Sequence, residues 1–158
     1  MSSDKELVKE IDGKIYKNAE WYLVIDSYSF HVYVAVIIPN KNLQIRIDWQ
    51  DNSQLTFEKY KFNKNEKSFF IFKQDFCKLC LENEIKNKLT TYKLFTFNCR
   101  SVSFIILCLA GYDPKKLFVI FETNNVLCGI QTDQCITFEE LIHYLDWDRG
   151  NHGECILF

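Results

Sequence analysis

The stretch YKLFTFNCRSVSFIILCLAG, Tyr92 to Gly111, decides how this chain reads. An aromatic-rich extended run delivers Asn98 and Cys99 to the start of an apolar helix. Asn98 fits the N-cap, Val102, Ile105, Ile106 and Leu109 share the core face, and Gly111 with Pro114 beyond it signals the stop. First-turn N–H groups lack an intrahelical partner and the macrodipole is positive at that end. A thiol at position 99 therefore has its thiolate stabilised and its pKa lowered. The backbone N–H of Cys99, with the Asn98 side chain, is then the expected oxyanion donor set.

A cysteine nucleophile needs a base within hydrogen-bond reach and a group that orients the base. His31 opens the apolar strand-like run HVYVAVIIP, where a ring is rigidly held. His143 falls in a terminal helix and His152 in a Gly-rich tail, where neither is firmly positioned. In the next strand Leu43, Ile45, Ile47 and Trp49 share one face, and Gln44, Arg46 and Asp48 the other. Asp48 is the chemically better orienting group, since a carboxylate accepts the imidazole N–H and stabilises the imidazolium; Arg46 is the alternative.

The rest of the chain reads as mixed helix and strand. Ser3 and Glu6 have capping-box spacing, with Leu7, Ile11 and Ile15 following at helical intervals despite Gly13. Trp21 to Ile25 and Phe30 to Ile38 are strands, and Pro39 to Asn42 is a turn. Leu55 to Phe62 and Ser68 to Phe72, separated by the polar NKNEK, favour a hairpin. Asp75 caps a helix reaching about Leu89, with Cys77 and Cys80 in its interior. Leu117 to Phe121 and Val126 to Ile130 read as strands, and Thr137 with Glu140 opens the helix FEELIHYL through a second capping box.

The 158 residues, 47% apolar with 14 Phe and 8 Tyr, suit one domain over 1–158 with one core. A net charge of −2 without a basic tract excludes the electrostatic footprint of nucleic-acid binding. The N-terminal segment is polar and the apolar runs are too short to span a bilayer, so a cytoplasmic protein is expected. Seven cysteines, mostly inside apolar segments, read as reduced thiols. The C-x-x-C of Cys77 and Cys80 has no second half, so no metal and no cofactor are expected.

The blocks WYLVIDSYSFHVYVAVIIPNKNLQIRIDW and DFCKLCLENEIKNKLTTYKLFTFNCRSVSFIILCLAG resemble the histidine strand pair and the Asn-Cys box of lecithin retinol acyltransferase-like proteins. These form the circularly permuted branch of the NlpC-type papain-like superfamily, with histidine before cysteine. The resemblance spans Trp21 to Tyr112. It implies an α+β fold in which an antiparallel sheet packs against helices, with the cysteine at a helix N-terminus. It implies His31 as general base and Cys99 as acyl-accepting nucleophile, acting on phospholipids or other acyl-lipids. Where the family has a second histidine this chain has QIRID, so Arg46 or Asp48 takes the third position. Where the family carries Glu-His after the Asn-Cys pair, this chain has Arg100 and Ser101.

The function expected is a cysteine-dependent acyl hydrolase or acyltransferase working through an acyl-thioester. A cysteine peptidase or amidase on the same site and a catalytically inactive binding module are the alternatives. Cys155-Ile156-Leu157-Phe158 fits a C-a-a-X prenylation pattern over 155–158, which would bring the protein to the cytosolic face of membranes. The preceding residues are acidic-leaning rather than polybasic, so a single prenyl chain would anchor it reversibly.

Overall fold

The structure is a computed structural model that describes residues 9, 11–49, 55–61, 63–85, 98–128 and 134–145. Five strands form one antiparallel sheet: β1 (Tyr16–Asp26), β2 (Val32–Ile38), β3 (Leu43–Trp49), β4 (Leu55–Lys59) and β5 (Glu66–Phe76), in the order β4-β3-β2-β1-β5. Four helices follow in the described residues: α1 (Lys78–Ile85), α2 (Cys99–Leu109), α3 (Pro114–Thr123) and α4 (Phe138–Leu145). The fold class is α+β.

Alternation builds the two faces of the sheet. Leu23, Val34, Val36, Ile45 and Ile47 bury themselves on the helix side against Phe104, Ile105, Leu117, Phe121 and Leu141. Each fully buried side chain of this size contributes about 1.5–3 kcal/mol. On the opposite face a smaller cluster joins Val24, Tyr33, Ala35 and Tyr60, with Tyr22 packed beside it. The α2 helix lies over β2, and the buried Ser103 hydroxyl donates to the Val32 carbonyl at 3.4 Å. That contact joins the helix bearing Cys99 to the strand following His31.

Several local expectations hold. In β3 the residues Leu43, Ile45, Ile47 and Trp49 are buried on the helix side. Asn42 takes a left-handed φ of 50° after the single 3₁₀ turn Pro39–Lys41. Thr137 and Glu140 form their capping box, with the Glu140 N–H donating to Thr137 Oγ1 at 3.2 Å and the Thr137 N–H to Glu140 Oε1 at 3.3 Å.

Other expectations are corrected. The strands flanking NKNEK do not form a hairpin: β4 pairs with β3, β5 pairs with β1, and they occupy opposite edges of the sheet. The β5 strand runs through Phe76, so Asp75 belongs to it and not to a helix cap. Its carboxylate accepts the Asn18 N–H at 3.1 Å and pairs with Lys17 at 3.0 Å, closing the irregularity where Asn18 takes a φ of 54°. Cys77 precedes α1 and only Cys80 is inside it; Leu89 lies outside the described residues.

Leu117 to Phe121 is helix, not strand. Asp113 caps it by accepting the Lys115 N–H at 2.9 Å, Pro114 starts the first turn, and Leu117 and Phe121 fall one helical turn apart on the buried face. Val126 to Cys128 forms no named strand; Cys128 makes one isolated antiparallel bridge with Cys135, and residues 129–130 lie outside the described set. Ile15 is 61% exposed because the helical segment at Ile11 ends at Gly13, whose φ is +70°. The capping residues Ser3 and Glu6, with Leu7, lie outside the described residues.

Not every thiol is reduced. Disulfides join Cys77 to Cys80 and Cys128 to Cys135, while Cys99 and Cys108 are free and buried. The turn from β5 into α1 brings Cys77 and Cys80 within 5.2 Å between Cα atoms, and the β-bridge does the same for the second pair. Among the described residues no helix is long and apolar enough to cross a membrane.

Candidate active site

The turn between β1 and β2 sets the position of His31. Asp26 accepts the Tyr28 N–H at 2.8 Å and the Ser29 N–H at 3.3 Å, an Asx turn at the end of β1. Phe30 takes a φ of 59°, its N–H donating to the Asp26 carbonyl at 2.8 Å. The His31 carbonyl accepts the Asp26 N–H at 2.9 Å. His31 thus stands just before β2, at the end of the sheet, where one ring reaches groups on both faces.

On the face away from the helices, His31 Nε2 lies 2.6 Å from Asp48 Oδ1. The second oxygen, Oδ2, accepts Arg46 Nε–H at 3.1 Å and Nη2–H at 2.8 Å. The Arg46 guanidinium in turn stacks 3.8 Å above the Tyr33 ring. Tyr33 donates its hydroxyl to Glu66, which also accepts from Tyr60 at 3.5 Å. Burial and then the Glu66 hydrogen bond push the Tyr33 phenol up, and burial carries Tyr60 up to about 12. Behind the imidazole, therefore, is a chain of charged and polar groups anchored in the sheet.

On the helix side the Cys99 thiol is the group that interacts electrostatically with His31. With Nε2 engaged by Asp48, Nδ1 is the ring nitrogen left for the sulfur. Burial alone holds an imidazole below its ordinary value. Here the hydrogen bonds to Asp48 and Cys99, with their negative charges, overcome that and raise His31 to about 10. Burial opposes the Cys99 thiolate, and the His31 hydrogen bond and charge outweigh it, helped by a backbone bond from Val32 and the nearby Arg100 charge, so the thiol is lowered. Burial likewise raises Asp48, but His31 and Arg46 hold its carboxyl below the usual range. Cys108, also buried but without such partners, is raised by burial and then by the Asp113 charge. The contrast isolates what position 99 provides.

Asn98 caps α2 as expected: Oδ1 accepts the Arg100 N–H at 2.9 Å and the Ser101 N–H at 3.4 Å. The cap consumes those donors and turns the Asn98 carbonyl oxygen into the helix. The Cys99 N–H is the first-turn donor the cap does not take; the cap uses Asn98 Oδ1, the acceptor end of the amide, whereas the oxyanion role expected of Asn98 belongs to its Nδ2–H donors.

The structure thus brings His31, Asp48, Arg46, Asn98 and Cys99 together. His143 lies on α4, while His152 and Cys155, with the 155–158 motif, fall outside the described residues. Two supports escaped the sequence reading, the Asx turn at Asp26 and the Tyr33–Glu66 pair. Asp26 followed by Ser-Tyr-Ser carried the signal for the turn; the pair depends on strand order. Among the described residues, no group of three or more His, Cys, Asp or Glu side chains is placed to hold a metal. No family model, curated protein or solved structure matches this chain.

Proposed function

We propose that this protein is a cysteine-dependent acyl hydrolase or acyltransferase with a permuted papain-like arrangement, in which Cys99 is the nucleophile, His31 the acid and base, and Asp48 the orienting carboxylate. The observation that carries this reading is a single imidazole bound to a buried carboxylate and acting on a helix-start thiol, which it holds below the ordinary thiol range. Histidine preceding cysteine, an antiparallel sheet, and a cysteine opening the helix packed on it support the same arrangement.

The resting site is a thiolate–imidazolium pair. The Cys99 sulfur adds to the carbonyl carbon of an ester, thioester or amide, and the carbonyl π electrons move onto oxygen. The Cys99 N–H donates to that oxyanion, an interaction typically worth about 3–4 kcal/mol in the transition state. The oxyanion collapses, the bond to the leaving group breaks, and His31 gives its proton to the departing atom. Water or an amine then enters with His31 taking its proton, and Cys99 leaves as thiolate.

Incubation with acyl thioesters, aryl esters and peptide amides, followed by intact-mass measurement, tests this. An acyl adduct on Cys99 that is absent in Cys99→Ala and slowed in His31→Ala supports the reading. Turnover confined to peptide amides moves the assignment to a peptidase, and absence of any adduct or turnover leaves a binding module.

A further inference from the structure

A cleft of about 650 Å³ opens at the end of the sheet that carries His31, lined not by His31 or Cys99 themselves but by their chain neighbours. Two of its lining residues adjoin the reacting groups in sequence, Val32 after His31 and Arg100 after Cys99. Strand register builds the floor. Lys67 of β5 pairs with Ile25 of β1, and Ile25 pairs with Val32 of β2, so the three form one row on the helix-side face at the end of the sheet that carries His31. Phe69 and Val126 extend the apolar surface.

Among the described residues that line it, Lys67 and Arg100 are the charged side chains and no carboxylate accompanies them. Neither makes an ion pair within the described residues. Glu66, adjacent to Lys67, is occupied on the other face with Tyr33 and Tyr60. The Arg100 charge already acts on the Cys99 sulfur. Two like charges facing one partly enclosed, apolar-floored space are complementary to an anion attached to an apolar body.

We propose that this cleft selects acyl substrates bearing an anionic group, held between Lys67 and Arg100, with the apolar part of the substrate on Ile25, Val32 and Phe69. The proposal rests on the thiol acyl-transfer reading and adds the substrate class. The anion belongs either to the acyl half, as a distal carboxylate, or to the leaving half, as a phosphate.

The test compares alkylation of Cys99 in the full chain by iodoacetate, an anion, and by iodoacetamide, its neutral counterpart. Both consume the same thiolate, so their rate ratio is independent of the thiol pKa and reads only how the site treats the charge. The double variant Lys67→Gln/Arg100→Gln lowers the iodoacetate-to-iodoacetamide ratio about fivefold or more, while Lys67→Arg keeps it. The His31 imidazolium is common to all these proteins, so the change reports the cleft cations. An unchanged ratio overturns the proposal and leaves acyl transfer standing. Failure of both reagents at Cys99 removes the acyl-transfer reading and this inference together.

Matched substrates then locate the anion. Faster turnover of an adipoyl than of a hexanoyl aryl ester assigns it to the acyl half. Faster turnover of an ester with a phosphate-bearing leaving group than of its neutral match assigns it to the leaving half. Equal rates within both pairs overturn the proposal.

Discussion

His31 Nε2 lies 2.6 Å from Oδ1 of Asp48, a carboxylate whose side chain is 1% exposed. A buried anion of this kind persists only when its oxygens are satisfied, and here the imidazole takes one oxygen and Arg46 the other. The same pairing engages Nε2 and leaves Nδ1 as the ring nitrogen open to a second partner.

Replacing Asp48 with Asn keeps the shape and removes the charge. Acylation of Cys99 is expected to fall by about a hundredfold or more, because an amide leaves the imidazolium without its counter-charge and permits the wrong tautomer. Rapid-mixing acylation kinetics checks this, and a rate within twofold of the parent excludes Asp48 from the site.

The pH dependence follows from the directions of the shifts. Alkylation of Cys99 should rise with pH through a midpoint below that of a free thiol, then hold level until His31 loses its proton at about 10. In His31→Ala the midpoint moves upward into or above the ordinary thiol range. Thiolate absorbance against pH, read as the difference from Cys99→Ser, measures both. For stability, His31 is raised in the folded state. Its contribution is therefore fully present below the ordinary imidazole value and is lost as pH climbs through about 10. Asp48 is lowered, so its contribution is present above the ordinary carboxylate value and is lost on acidification.

Removing Arg46 strips Asp48 of one partner. With the guanidinium 28% exposed and stacked on Tyr33, Arg46→Met should cost about 2–4 kcal/mol in urea denaturation. Arg46→Lys should recover only part of that, since an ammonium cannot donate the Nε and Nη2 pair to one oxygen. Full recovery by Lys would mean that charge alone matters.

Asn98 separates capping from charge. Asn98→Ala should destabilise by about 1–2 kcal/mol through loss of the cap on Arg100 and Ser101. Asn98→Asp keeps the cap and sets a negative charge beside the thiolate, so the Cys99 midpoint moves up while thermal stability is largely retained. A downward shift would contradict the electrostatic account of the site.

What could be read without coordinates was what depends on neighbours within a few residues. The start of α2 at Asn98-Cys99, the alternation of β3 and the Thr137–Glu140 capping box are local arrangements of donors, acceptors and apolar periods. Leu117 to Phe121 was misread because a short apolar run satisfies strand and helix alike. Asp113-Pro114 ahead of it held the deciding signal. A His31–Cys99 pairing is expected from the sequence, yet only packing, seen in the Ser103–Val32 bond, sets the head of β2 near the start of a helix far along the chain.

The sequence by itself determined which segments bury which faces and where a thiol meets a helix start, because periodicity and capping are short-range physics. Tertiary structure decided that β4 and β5 occupy opposite edges of the sheet, that Arg46 and His31 divide the oxygens of Asp48, and that four cysteines pair. Those outcomes depend on which distant surfaces find each other, and hydrophobic burial, being non-directional, selects partners only when the whole core closes.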